Sequence, residues 1–82
     1  MIKELQLSIV SPEKKLFEGE VSIITLPGTL GSFSILPEHA PIVSSLKEGT
    51  VKYTTIDGVE NSLEIQGGFI EQSDGIVSVC IS

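Results

Sequence analysis

Eighty-two residues carry five lysines, no arginine, one histidine and eleven carboxylates, for a net charge of −6. That length sets residues 1–82 as a single domain with a thin core, and an apolar content of 40% is too high for intrinsic disorder. The acidic balance excludes a basic face for nucleic-acid phosphates, and the missing arginines exclude a bidentate guanidinium fork for an anionic substrate.

The residues alternate with period two from the start. Leu5, Leu7 and Ile9 are separated by Gln6 and Ser8, so one strand face is apolar. Ser11-Pro12-Glu13 then turns the chain. Val21, Ile23 and Thr25 alternate with Glu20 and Ser22, while Ile24 and Leu26 put apolar groups on the second face as well. Pro27-Gly28 and Pro37-Glu38 are turn signals. The only helical candidate is a short turn near His39 to Leu46, cut by Pro41. After Glu48-Gly49 and Asp57-Gly58, Val59, Leu63 and Ile65 oppose Glu60, Ser62, Glu64 and Gln66. Beyond Gly67-Gly68 and Asp74-Gly75, Val77, Val79 and Ile81 alternate with Ser78 and Cys80. Both Asp-Gly pairs suit two-residue type I′ hairpins, which need positive φ at each central residue.

Ile, Val and Thr number 23 against a single alanine, Ala40. Such side chains lose rotamer freedom in helices and fit a pleated surface. Many short strands at this spacing predict an all-β sandwich or barrel. The predicted core is Leu7, Ile9, Val21, Ile23, Phe33, Leu63, Ile65, Val77 and Val79. Met1-Ile2-Lys3-Glu4 leads straight into the first strand pattern without an apolar signal segment. Val21 to Pro37 carries no charge, but two prolines and two glycines bar it from spanning a bilayer as a helix. No direct membrane insertion is expected. A lone cysteine cannot form an internal disulfide, which favours a reducing, cytosolic compartment.

Catalytic chemistry finds little support. Glu18 and Glu20 would sit about 6.6–6.8 Å apart on one strand face, inside the roughly 6.5–9.5 Å separation of inverting glycosidases. Alternating acids are ordinary on a solvated strand, and one tyrosine without tryptophan offers little surface for stacking a sugar. His39 is the only base of the usual type, and no Gly-x-Ser-x-Gly elbow accompanies it. One histidine and an unpartnered Cys80 make no metal site. Gly28-Thr29-Leu30-Gly31 lacks the Lys-Ser/Thr and helix of a phosphate loop. Cys80 reads as a small apolar residue, and Lys14-Lys15 as a solvated turn. No catalytic residue, cofactor or metal is expected. For His39, a bond within its own loop and a polar anchor in a protein contact both remain open.

The segment from Leu26-Pro27-Gly28-Thr29-Leu30-Gly31 through Ser32-Phe33-Ser34-Ile35-Leu36 to Pro37-Glu38-His39-Ala40-Pro41 resembles the signature of the epsilon subunit of bacterial F-type ATP synthases. Ile9-Val10-Ser11-Pro12-Glu13, Leu16-Phe17-Glu18-Gly19-Glu20-Val21, Gly49-x-Val51 and Gly67-Gly68-Phe69 extend the likeness across the chain. The resemblance implies a β-sandwich of about ten strands. It further implies a non-catalytic rotor part, peripheral at the cytoplasmic face of the bacterial plasma membrane, packed between the gamma shaft and the membrane-embedded c-ring. On the family pattern Ser11, His39 and Ser44 face gamma, while Thr29, Leu30, Gly31 and Ser32 approach the ring.

Ser34 stands where many relatives have Gly, Glu38 where Gly or Asn is frequent, and Ser32 where some carry an acid. The last change leaves no charge there for a ring contact. Most relatives continue into a two-helix hairpin, whereas this sequence stops at Ile81-Ser82; coupling without hairpin-mediated restraint of ATP hydrolysis is the resulting expectation. Two alternatives are a lipoyl- or biotinyl-type carrier domain and a small-ligand-binding barrel. The carrier needs a lysine at a hairpin tip, and Asp57-Gly58 has none beside it.

Overall fold

Alternating apolar residues and frequent turn chemistry produce strands throughout a computed structural model that describes residues 4–82. The segment Met1 to Lys3 lies outside the described residues. Eight strands follow in order: β1 (Leu5–Val10), β2 (Lys15–Gly28), β3 (Gly31–Ile35), β4 (Ile42–Leu46), β5 (Gly49–Thr55), β6 (Glu60–Ile65), β7 (Gly68–Ser73) and β8 (Ile76–Ile81). One layer runs β4-β7-β8-β1; the other is formed by β3, β2, β5 and β6. The pairings are antiparallel except β1 with β8, which is parallel.

Eight strands replace the expected ten, because β2 is one unbroken 14-residue strand that serves both layers. Its first half pairs β1, and its second half pairs β3 and β5. Between them the register with β5 shifts at Val21/Ile23. An inserted residue rotates the strand, so the buried set passes from Val21 to Ile24 and Leu26. Ile23, read as core from strict alternation, is only half-buried. Phe33 and Leu63 are also half-buried and pack on the margin of the core. The other six predicted core residues are buried as expected, joined by Leu5, Ile24, Leu26, Ile35, Leu46, Val51 and Ile70.

No helix forms among the described residues. The helical turn read near His39 to Leu46 is instead an exposed loop followed by β4, whose Ile42 and Leu46 face inward against β7. β-branched Ile42 and Val43 and the neighbouring Pro41 favour that outcome over a helix.

The two Asp-Gly turns differ. Asp74 and Gly75 have φ of 53° and 78°, with Ser73 paired to Ile76, which is the expected two-residue type I′ hairpin. At Asp57-Gly58 only Gly58 has positive φ, at 89°. Gly58 N donates to Thr55 O at 2.9 Å, and Thr55 N to Val59 O at 2.9 Å. Ile56 therefore joins a three-residue loop with Gly58 in the left-handed position. Gly68 has φ 146°, and a Cβ there would overlap the Cys80 carbonyl across the β7–β8 ladder. Only glycine allows β7 to start that close to β8.

Candidate interaction surfaces

Ser11 closes β1. Its N–H donates to Lys14 O at 2.9 Å, and its Oγ accepts from Lys14 N at 3.2 Å and Glu13 N at 3.4 Å. The hydroxyl thus builds the Ser11–Lys14 turn, a common use of serine. His39 follows a turn closed by His39 N donating to Leu36 O at 3.1 Å. Pro37 occupies the second position, and Glu38, with φ 72°, the third. This is type II geometry, which favours Gly or Asn at the third position. The exposed His39 places Nδ1 2.6 Å from Ala40 O. A carbonyl only accepts, so Nδ1 is the donor in this contact. The loop is tied down by Gln72, whose Nε2 donates to His39 O at 3.4 Å while its buried Oε1 has no partner among the described residues.

Ser44 lies opposite Ile70 in the β4–β7 ladder, half-buried, and its Oγ donates to Ser45 O at 3.1 Å. Ser11, His39 and Ser44 therefore do not form one cluster. The cross-strand row Val10–Cys80–Phe69–Ser45 separates the first from the last. Three strand spacings make that about 14 Å.

The outer face of this layer carries exposed apolar groups that alternation did not reveal. Val43 (74% exposed), Phe69 (52%) and Ile76 (59%) point away from the core, interleaved with Glu71, Ser73 and Ser78, and half-buried Cys80 and Val10 continue the row from Phe69. At its Ser11 end, Val10, Pro12, Phe69, Cys80 and Ile81 line a shallow apolar groove of about 390 Å³. The sequence signal was present in adjacent apolar pairs inside strands: Ile9-Val10, Ile42-Val43, Phe69-Ile70 and Ile76-Val77. Successive strand residues point to opposite faces, so each pair must expose one member.

The second predicted group does come together. Gly28 pairs with Gly31, leaving Thr29 and Leu30 as the two-residue tip of the β2–β3 hairpin. Leu30 is fully exposed, and Gly31 and Ser32 are exposed beside it. Thr29 N donates to Ser45 O at 3.2 Å, which holds the tip against the end of β4.

Elsewhere the chemistry is structural. Glu18 pairs with Lys15 at 2.7 Å on an exposed surface, and Glu20 accepts from Gln6 at 2.8 Å. No group of three His, Cys, Asp or Glu residues is placed to hold a metal among the described residues. Tyr53 stacks at 4.5 Å from Phe17, and burial pushes its hydroxyl above the usual tyrosine range. The Thr55 hydroxyl, with Asp57's own backbone, holds the Asp57 carboxyl below its ordinary value of 3.8.

Residues 4–82 match the family described as the ATP synthase delta/epsilon chain β-sandwich domain. Among individual relatives, an ATP synthase epsilon chain of Bordetella petrii is 43% identical over 75 residues, covering 92% of this chain and 53% of its own length. One from Leptospira borgpetersenii is 42% identical over 76 residues, covering 93% and 59%. One from Chlorobium limicola is 44% identical over 71 residues, covering 87% and 81%. The chain thus spans little more than half the length of the first two. A chain in the Euglena gracilis mitochondrial ATP synthase OSCP/F1/c-ring structure superposes with a TM-score of 0.90 at 23% identity, covering 96% of this chain and 51% of that one. One from the Tetrahymena thermophila mitochondrial ATP synthase central stalk/c-ring gives 0.76 at 19%, covering 94% and 62%. These two likenesses establish the fold.

Proposed function

This chain belongs to the family of ATP synthase delta and epsilon chains, as their β-sandwich domain, and from that premise we propose that it is a non-catalytic part of the central stalk of an F-type ATP synthase. It binds the gamma shaft through the outer face of β4-β7-β8-β1 and meets the c-ring through the Thr29-Leu30-Gly31-Ser32 tip. Ion-driven rotation of the ring then passes through it to the shaft, while other subunits form ATP. It sits peripherally, at the cytoplasmic face of a bacterial plasma membrane.

The observation that carries this reading is the shallow apolar groove at the Ser11 end of that outer face, lined by Val10, Pro12, Phe69, Cys80 and Ile81. An apolar groove bordered by polar residues is the composition of a protein-binding surface, since burying it removes apolar area from water. Ser11 and His39 supply polar groups at opposite ends of that layer, whereas Ser44, opposite buried Ile70, faces inward. Gamma is the occupant argued for because Ser11, at the margin of the groove, and His39 match the gamma-facing pattern.

Replacing His39 tests the reading. His39→Ala removes the side chain but leaves His39 N and O, the groups that close the turn and bind Gln72. The domain should therefore stay folded while co-purification with gamma weakens. Unchanged assembly with gamma would defeat the assignment of this layer.

A further inference from the structure

We infer that Ser45 is a positioning residue that fixes the ring-facing hairpin to the shaft-facing layer, so that load on the tip enters β4 directly. This rests on the assignment of the two surfaces proposed above. Ser45 O accepts from Thr29 N at 3.2 Å, so the backbone of a residue opposite Phe69 in the outer row holds the hairpin tip. Ser45 Oγ lies 3.2 Å from Thr29 Oγ1, a second bond between the same two residues. Lys47 N adds a bond to Pro27 O at 2.9 Å, and Gly28 pairs with Leu46.

The topology gives this joint its importance. Gly28–Leu46 is the only ladder pair between β2 and β4 among the described residues. Without the joint, the hairpin is tied to β4 only by the 36–41 loop and, through ladders, around the circuit β2-β1-β8-β7-β4. That route crosses four interstrand ladders, each able to shear a little. The hairpin itself is narrow: a Cβ on Gly28 would lie 2.7 Å from Gly31 O and 2.8 Å from the Phe33 ring. A slender arm with a two-residue tip bends under lateral load unless it is braced near its end. Thr29 and Ser45 place the brace at the tip itself.

The side-chain half of the brace is removed by Ser45→Ala, although exposed Ser45 stands opposite Phe69 on the gamma-facing layer. In the assembled ATP synthase carrying the full-length subunit, the variants are therefore compared at equal occupancy of the subunit, read as stoichiometry against gamma. ATP-driven ion pumping per ATP hydrolysed should fall roughly twofold or more, in line with losing one net hydrogen bond at the joint. Ser45→Thr, which keeps the hydroxyl, should restore it. Thr29→Val combined with Ser45→Ala should be no worse than the more affected single variant, because the two hydroxyls form one bond.

A pumping ratio unaltered by Ser45→Ala overturns the inference, as does failure of Ser45→Thr to restore it. Strictly additive losses in the double variant also overturn it, since Thr29 would then act through the ring alone. Failure of the unmodified chain to assemble with gamma and the ring would instead defeat the functional reading beneath it. The wild-type assembly therefore separates the two failures.

Discussion

Glu38 shows how one side chain can sit against its backbone. The type II turn at Leu36–His39 requires positive φ at its third position, and an L-residue with a Cβ pays for the left-handed region. Gly or Asn at that position would avoid the cost. Glu38→Gly should therefore raise stability by ~0.5–1 kcal/mol, read as a higher denaturant midpoint at unchanged slope. A lower midpoint would show that the Glu side chain contributes something the turn geometry does not reveal.

Asp57 gives a pH signature. Its carboxyl is held below 3.8 by the Thr55 hydroxyl, bonded at 2.6 Å. A folded-state value below the unfolded one favours the folded state above the unfolded value. That contribution is lost as pH falls through the lower folded value. Compared with Asp57→Asn, the wild type should thus hold an advantage near neutrality that shrinks below pH 3.8. Parallel stability curves for the two proteins across that window would contradict the assignment. The group is fully exposed, so solvent and salt screen the effect and it will be small.

Among the elements, β2 is where alternation alone misleads. Val21, Ile23 and Thr25 follow a simple period, yet the register shift at Val21/Ile23 hands the buried positions to Ile24 and Leu26. One inserted residue exchanges the two faces of everything beyond it. Ile24→Ala should cost ~2–5 kcal/mol, as for a fully buried aliphatic side chain. Ile23→Ala should cost clearly less, and chemical denaturation of the two variants decides the matter. Equal losses would mean that the shift does not set the burial. The sequence did contain a hint: Ile23-Ile24 are adjacent, and Leu26 continues the even-numbered set. What it could not show was which of two overlapping periods the tertiary contacts would select.

At the level of the whole molecule, the layer β4-β7-β8-β1 has one apolar face buried and another partly apolar face exposed. Phe69 is the largest exposed side chain of that outer face, and its partner row reaches Val10 through Cys80. Phe69→Ser should leave the fold intact, because neighbouring Ile70 rather than Phe69 fills the core. Affinity for gamma should fall roughly tenfold or more, as when a central aromatic anchor is lost from an interface. Binding measured by titration against gamma tests this, and an unchanged dissociation constant would remove Phe69 from the interface.

The all-β class, most of the core and the Asp74-Gly75 hairpin were legible in the residues because each depends on local rules: side-chain branching, alternation and positive φ. The hairpin tip carrying Thr29 to Ser32 was legible too, since its residues are contiguous. The path of β2 through both layers was not, because a bulge is chosen by packing on two sides at once. The strand identity of Ile42–Leu46 was equally hidden, as a five-residue segment takes its conformation from the ladder it joins. The separation of Ser11 from Ser44 and the meeting of Thr29 with Ser45 depend on strand order. Strand order is settled by contacts distant in sequence, which no local pattern encodes.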